Sequence, residues 1–335
     1  MVPSRIVFDL VTAGEAFDDF IFYALDRLPD DGEELKTRSF ARSPGGGAVI
    51  TAVAAARLGL RVAVVSALSD DAVRTLRAEG VSVQNLRRPG EHAAITVALS
   101  NRRDRRFVTF TGINDAVPDR IRRSLPDTRA RHVHFAFYPR PCRPSIVVID
   151  RLRRRGVTSS WDFGWNPRLA HDPQFAALAA SADCLFLNRA EALMYARRTK
   201  LRDALEHWRC SPRSVVIKLG SRGSRVVGGE VELQAAAART RVIETTGAGD
   251  AFNAGFLAAV LRGDSLQAAL RLGNRIGALS TRRPGGIAGL PHDRSAKAIA
   301  LRSRSAQANA LQPRSAKAIA RRARSAEAFP RRKRQ

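Results

Sequence analysis

The run Glu244-Thr245-Thr246-Gly247-Ala248-Gly249-Asp250-Ala251-Phe252-Asn253-Ala254-Gly255-Phe256 follows the apolar pair Val242-Ile243 and carries the most information in the chain. Its Gly-Ala-Gly turn opens a helix whose apolar positions Phe252, Phe256, Ala259 and Val260 recur at helical spacing. Unpaired amides at a helix start, together with the helix dipole, form a site for anions. Glycine lets the main chain approach a phosphate with no side chain between. Asp250 stands at the lip of that turn, within reach of a hydroxyl attacking a phosphoryl group held there, so it can orient the hydroxyl and accept its proton. Taken alone, the same residues also read as an ordinary loop with Asp250 capping the helix.

Working outward, Pro44-Gly45-Gly46-Gly47 opens a second helix, the Ala-rich stretch 48–58 closed by Gly59, and three consecutive glycines suggest close backbone contact. Residues 6–11 and 20–25 read as strand, turn, strand, and 61–68 as a buried strand. The segments 93–100 and 106–111 flank a polar turn with Ile95, Val97 and Leu99 in alternation, an antiparallel hairpin that can join 20–40 in a small sheet. Beyond Arg131, strands at 132–137, 157–163, 184–187 and 214–219 alternate with helices at 145–155, 174–182 and 190–197. Such alternation predicts an α/β fold, a doubly wound, mostly parallel sheet between two helical layers.

The 335 residues hold one large domain and an appendage. A hydrophobic class of 44% and a charged class of 26% exclude wholesale disorder and a membrane bundle. The formal charge is +26, of which residues 291–335 supply +11. A positive field draws phosphates of any kind and does not separate a nucleotide-using enzyme from a nucleic-acid binder. Only six of the 57 basic residues are Lys, an Arg skew that GC-rich coding also produces. From 294 a ten-residue unit repeats four times, beginning at Arg294, Arg304, Arg314 and Arg324, with mostly Ala as its apolar content. It reads as a basic tail, disordered or loosely helical, and contact with nucleic acid is its less favoured role. Cys142, Cys184 and Cys210 form no CxxC pair, no run of 18 apolar residues spans a bilayer, and the acidic first 25 residues do not resemble a signal peptide, so a cytoplasmic setting is expected.

The glycine clusters, Gly14-Glu15-Ala16-Phe17-Asp18-Asp19 and Asn188-Arg189-Ala190-Glu191 make an ordered set, and through them residues 6–291 resemble the ribokinase-like, or PfkB, carbohydrate kinases. The match is strongest over Thr245 to Phe256, which is similar to the family's Asp-Thr-x-Gly-Ala-Gly-Asp signature. The resemblance implies an anion hole at Gly247, Ala248 and Gly249, with Asp250 as catalytic base. It also implies substrate contacts at Asp19 (with Asp18 its runner-up), Gly45 and Gly46, and Mg²⁺ placed through water by Asn188 and Glu191. A nucleotide border is implied at Lys218, Gly220 and Gly223, with Asn274 beside the adenine pocket. ATP and Mg²⁺ are the implied cofactors, with a monovalent cation in some members, and segments 20–43 and 93–111 become a β lid over the sugar in a kinase domain spanning 1–290.

Three departures stand out. Ile50 occupies a position where the family has a sugar-binding Asn, Glu244 replaces the Asp that heads the signature, and the region after Ser69-Asp70-Asp71 looks shortened. Other constellations fail. No Lys follows a glycine, so there is no Walker A loop; Val215-Val216-Ile217-Lys218 lacks the remaining protein-kinase elements; and the signature lacks the third glycine of a dinucleotide fingerprint. His132 and His134 share a strand face without a third ligand close in sequence and read as structural. Asp162 ends a strand where open sheets bind substrates, but reads equally as a solvated loop acid. The expected activity is ATP-dependent phosphorylation of a hydroxymethyl group on a sugar. Its rivals are a nucleoside kinase, a catalytically silent sugar- or nucleotide-binding relative, and a nucleic-acid-associated protein; a homodimer through the lid sheet is a further expectation.

Overall fold

The computed structural model describes residues 8–101, 105–139 and 141–292; the ten-residue repeats lie outside them. The chain opens with β1 (Phe8–Gly14), β2 (Phe17–Leu25), β3 (Phe40–Gly45), α1 (Gly47–Arg57), β4 (Val62–Ser66), α2 (Asp70–Ala78) and β5 (Ser82–Asn85). It continues through the hairpin β6 (Ile95–Asn101) and β7 (Arg105–Phe110) to α3 (Val117–Ser124), β8 (Ala130–Ala136), α4 (Cys142–Arg154), β9 (Thr158–Asp162), α5 (Phe175–Ser181) and β10 (Cys184–Asn188). The remainder is α6 (Arg189–Ala196), α7 (Leu201–Arg209), β11 (Ser214–Lys218), β12 (Ser224–Gly228), β13 (Val231–Ala235), α8 (Ala248–Leu261) and α9 (Leu266–Ser280).

Nine strands form one sheet in the order β13-β12-β11-β10-β9-β8-β1-β4-β5, parallel from β11 to β5, with β12 and β13 antiparallel at one edge. The period of two along a strand divides the core. Leu10 and Val64 point to one face and pack with Val53 of α1, Phe256 of α8 and Ile276 of α9. Their neighbours Val11 and Val65 point to the other, against Ile121 of α3, Ile149 of α4 and Leu205 of α7. Strands buried on both sides read as continuous apolar runs, which is why 61–68 and 184–187 show no alternation. The seemingly shortened region after Ser69 still builds a complete helix and strand: the Ser69 hydroxyl accepts from the Ala72 amide to cap α2, and donates to Asp18 at 2.8 Å.

A second sheet, in the order β3-β2-β6-β7, stands off the first. Its inner face carries Asp19 and Ile21, paired in register with Thr96 and Ala98, which in turn face Thr109 and Phe107 of β7. Its outer face carries Phe20, Phe22, Phe40, Val97 and Val108. Phe40, Ile95, Val108 and Phe110 are all exposed there.

Candidate active site

The carboxyl ends of the central parallel strands meet at one place, the usual ligand edge of an open α/β sheet. Register aligns Asp162 at the end of β9 with Phe186 of β10, and Asn188 at the end of β10 with Lys218 at the end of β11. Over this edge lies the start of α8. Gly247 is its N-cap in the left-handed region, φ 74°, where a side chain is strained, and a methyl there would stand 2.6 Å from the Ile50 side chain. The Ala248 N–H already bonds the Thr245 carbonyl at 3.2 Å, whereas those of Gly249 and Asp250 have no backbone acceptor among the described residues. Among the described residues the Gly247 N–H has no backbone acceptor either, so the open donors of the turn are Gly247, Gly249 and Asp250, with Ala248 engaged.

Asp250 is held from the opposite side by the glycine cluster. Thr51 of α1 donates to its carbonyl at 3.2 Å, and a methyl on Gly47 would come within 3.0 Å of its carboxylate. A methyl on Gly45 would collide with the Asp19 carboxylate, and one on Gly46 with the Glu15 carbonyl. The three glycines thus thin the wall between Asp19 and Asp250. Burial, then repulsion from Asp162, pushes Asp250 up to about 7 despite the opposing pull of Lys218. Burial and the charges of Glu244, Asp18 and Asp250 raise Asp19 to about 7 as well. Ile50, where the family has its Asn, is buried against Gly247 and Gly286, so its side chain shapes the turn and offers no hydrogen bond.

The loop after α9 closes the arrangement. A methyl on Gly285 would meet Ser43 of β3, while Gly286 abuts Ile50 and Gly247. Buried Arg57 fastens this loop, donating to the carbonyls of Ile287 at 2.9 Å and Leu290 at 3.0 Å while pairing with Glu79 at 2.6 Å.

Asn188 and Glu191 form the capping box of α6: the Asn188 side chain accepts from the Glu191 amide, and the Glu191 carboxylate accepts from the Asn188 main chain at 2.8 Å and its Nδ2 at 2.6 Å. Glu191 is buried, and desolvation followed by Asp162 raises it to about 7. With both carboxylate oxygens engaged, it suits Mg²⁺ held through water better than direct ligation, in keeping with an ion that retains its waters and takes phosphate oxygens. Among the described residues no cluster of three or more His, Cys, Asp or Glu could hold a metal unaided. Glu244 accepts through Oε1 from the Thr246 amide at 2.7 Å and hydroxyl at 2.6 Å, a turn-forming role for one of its two carboxylate oxygens.

A cavity of about 700 Å³ runs outward from the turn, lined by Lys218, Gly220, Gly223, Gly249, Phe252 and Asn274 among others. Asn274 donates to the carbonyls of Ala235 and Ala236 and so ties α9 to the end of β13 at the cavity wall.

Asp162 proves to be no solvated loop acid. It accepts from the Lys218 ammonium at 2.7 Å and from Asn253 at 2.8 Å, above the buried stack of Trp161 on Phe135. Sequence reasoning missed Asn253, although a polar residue on an otherwise apolar helix was the available signal. His132 and His134 bond Ser160 at 2.8 Å each inside the sheet, and burial lowers both.

A model described as pfkB family carbohydrate kinase matches residues 7–293. The chain is 30% identical over 274 residues to the ATP-dependent ribose-1-phosphate kinase of Halopiger xanaduensis, covering 78% of this chain and 88% of that one. It is 29% identical over 273 residues to the ribokinase of Bacillus subtilis, covering 79% and 90%. The crystal structure of adenosine kinase from Sinorhizobium meliloti superposes with a TM-score of 0.71 at 23% identity, over 90% of this chain and 99% of that one, and shares the fold. Among the described residues no helix is long and apolar enough to cross a membrane. Family match and near-complete coverage of its relatives agree with the strand order and the glycine turn: the chain belongs to the pfkB carbohydrate kinases, ATP-using phosphotransferases whose acceptor is an alcohol group.

Proposed function

We propose that the chain phosphorylates a hydroxymethyl group of a sugar, with Asp250 as base and Asp19 as the residue that orients the acceptor. The observation that carries this reading is the convergence of two carboxylates, from β2 and α8, across the Gly45 to Gly47 wall beside the open amides of Gly249 and Asp250. Asp250, raised to about 7, is matched to accepting a proton near neutrality. The acceptor oxygen bonds the γ-phosphorus as the bond to the β,γ-bridging oxygen breaks. The electron pair leaves with ADP and the proton passes to Asp250. Charge on the phosphoryl oxygens is met by the open turn amides of Gly247, Gly249 and Asp250. Mg²⁺, when bound with the nucleotide, would neutralise phosphate charge, with Glu191 and Asn188 holding its water. Gly220, Gly223 and Asn274 border the nucleotide in the 700 Å³ cavity. Domain limits at 1–290, with the small sheet as a lid that excludes water, accompany this reading.

A nucleoside acceptor is favoured by one observation. Phe107 lies on the Asp19 face of the small sheet and is 51% exposed, an aromatic ring of the kind that covers a flat base. On the outer face, Phe40, Val108 and Phe110 suit burial against the same sheet of a second copy. The test is an ADP-release screen over sugars, sugar phosphates and nucleosides beside Asp250→Asn. Turnover of one class, lost in the variant, is the expected result; no turnover of any acceptor, or full rate in the variant, refutes the assignment.

A further inference from the structure

Lys218 ends β11 in a part-buried position and spends two of its three N–H groups on protein, one on Asp162 Oδ2 at 2.7 Å and one on Asn253 Oδ1 at 3.2 Å. Asn253 turns its own amide onto the same Asp162 oxygen at 2.8 Å. Three residues from β9, β11 and α8 therefore close a ring of hydrogen bonds that fixes the ammonium. Such a ring could serve the fold alone if it were sealed. It is not, since Lys218 lines the cavity beside Gly249. A methyl on Gly249 would stand 3.2 Å from Nζ, so the missing side chain leaves the ammonium uncrowded next to the open amides.

Charge points the same way. Asp162, Glu191 and Asp250 all act on Lys218, yet only Asp162 touches it. Among the described residues the ammonium is the cation that acts on all three of these carboxylates, and it lies at the phosphate end of the cavity because Gly249 immediately precedes the base. Asn274 and the Ala236 carbonyl it binds lie along the cavity wall formed by α9 and the segment after β13.

Building on the kinase reading above, we propose that Lys218 is a catalytic residue whose remaining N–H binds a peripheral oxygen of the phosphoryl group in transfer, and that Asp162 and Asn253 are positioning residues holding it there. As the acceptor oxygen bonds to phosphorus and the bridging bond to ADP breaks, the peripheral oxygens carry the charge. Two amides and one fixed ammonium then supply three donors, the last with a full charge in a site of low dielectric. A lysine free to swing would have to reorganise during transfer. The Asp162 pair removes that motion and keeps the ammonium charged.

The contact is specific to the γ-phosphoryl group, so the test compares two nucleotides. Titration calorimetry with Mg²⁺ would measure ADP and the β,γ-imido analogue of ATP on the full chain, as wild type, Lys218→Met, Lys218→Arg and Asp162→Asn. Lys218→Met is expected to weaken the analogue about tenfold or more while ADP stays within about twofold, the scale of one charged hydrogen bond. Lys218→Arg should recover part of the loss, and Asp162→Asn should show the same preference to a smaller degree. Equal losses for both nucleotides, or none, would overturn the proposal. If Lys218→Met does not fold, the ratio measured in Lys218→Arg and Asp162→Asn decides on its own, an unchanged ratio in both being fatal. Wild-type protein that binds neither nucleotide would sink the kinase reading and this inference with it, an outcome distinct from wild type that binds both while the variants keep its ratio.

Discussion

The carboxyl edge of the large sheet and the inner face of the small one meet at Asp250 and Asp19, but they are built differently. On the large-sheet side every functional group is tied down: Lys218 by Asp162 and Asn253, Glu191 by the capping box, and Asp250 by Thr51. On the small-sheet side Asp19 is buried over Gly45, whereas Thr96, Thr109 and Phe107 on the same face belong to a hairpin whose edge strand is exposed. The first arrangement suits a chemistry that does not vary, the transfer of one phosphoryl group. The second suits a surface that selects the acceptor by closing on it.

The sharpest way to break this contrast is Asp250→Asn, expected to lower kcat about 10³-fold with nucleotide affinity nearly intact, by steady-state assay and calorimetry. Asp19→Asn should instead raise the KM of the acceptor about 10- to 100-fold and leave the KM of ATP unchanged; a matching rise for ATP would erase the division of labour. The pH profile sharpens it further. Asp250 must be ionised to take a proton and is raised to about 7, so kcat/KM should fall about tenfold per unit below that pH, and a flat profile down to pH 5 would remove it as base. Smallest is Phe107→Ala, expected to change the relative kcat/KM of sugar and nucleoside acceptors about threefold without altering ATP binding.

Legibility followed the range of the contacts. The Gly247 turn, its helix and the capping pair Asn188 and Glu191 are local patterns, spaced within one helical turn, and the sequence displays them directly. The parallel sheet was equally visible, because buried strands and covering helices alternate at short intervals. The ring around Lys218 was not, since its members are separated by 56, 35 and 91 residues and only the fold brings them together. Asp162 shows the difference in one residue. Its position at a strand end was readable, while the partner that turned it from a surface acid into a part-buried counterion lay in another strand. Ile50 was recognisable as a departure, but its packing against Gly247 and Gly286 required the loop after α9 to be in place. Residues 224–235 and 266–280 form β12, β13 and α9, and of these α9 lines the 700 Å³ cavity, through Asn274, Gly277 and Ala278.

The Arg57 clamp on the carbonyls of Ile287 and Leu290, spanning 230 and 233 residues, carries a consequence for biosynthesis. Synthesis delivers the small sheet first, and Asp19 with its glycines waits while more than two hundred further positions emerge from the ribosome. A nascent polypeptide arrested before the second helix-opening turn would hold every strand of both sheets and yet no Asp250; one arrested before Gly285 would have Asp250 and an unlatched wall. The latch can therefore close only after residue 290 has been made, near the end of synthesis of the described residues.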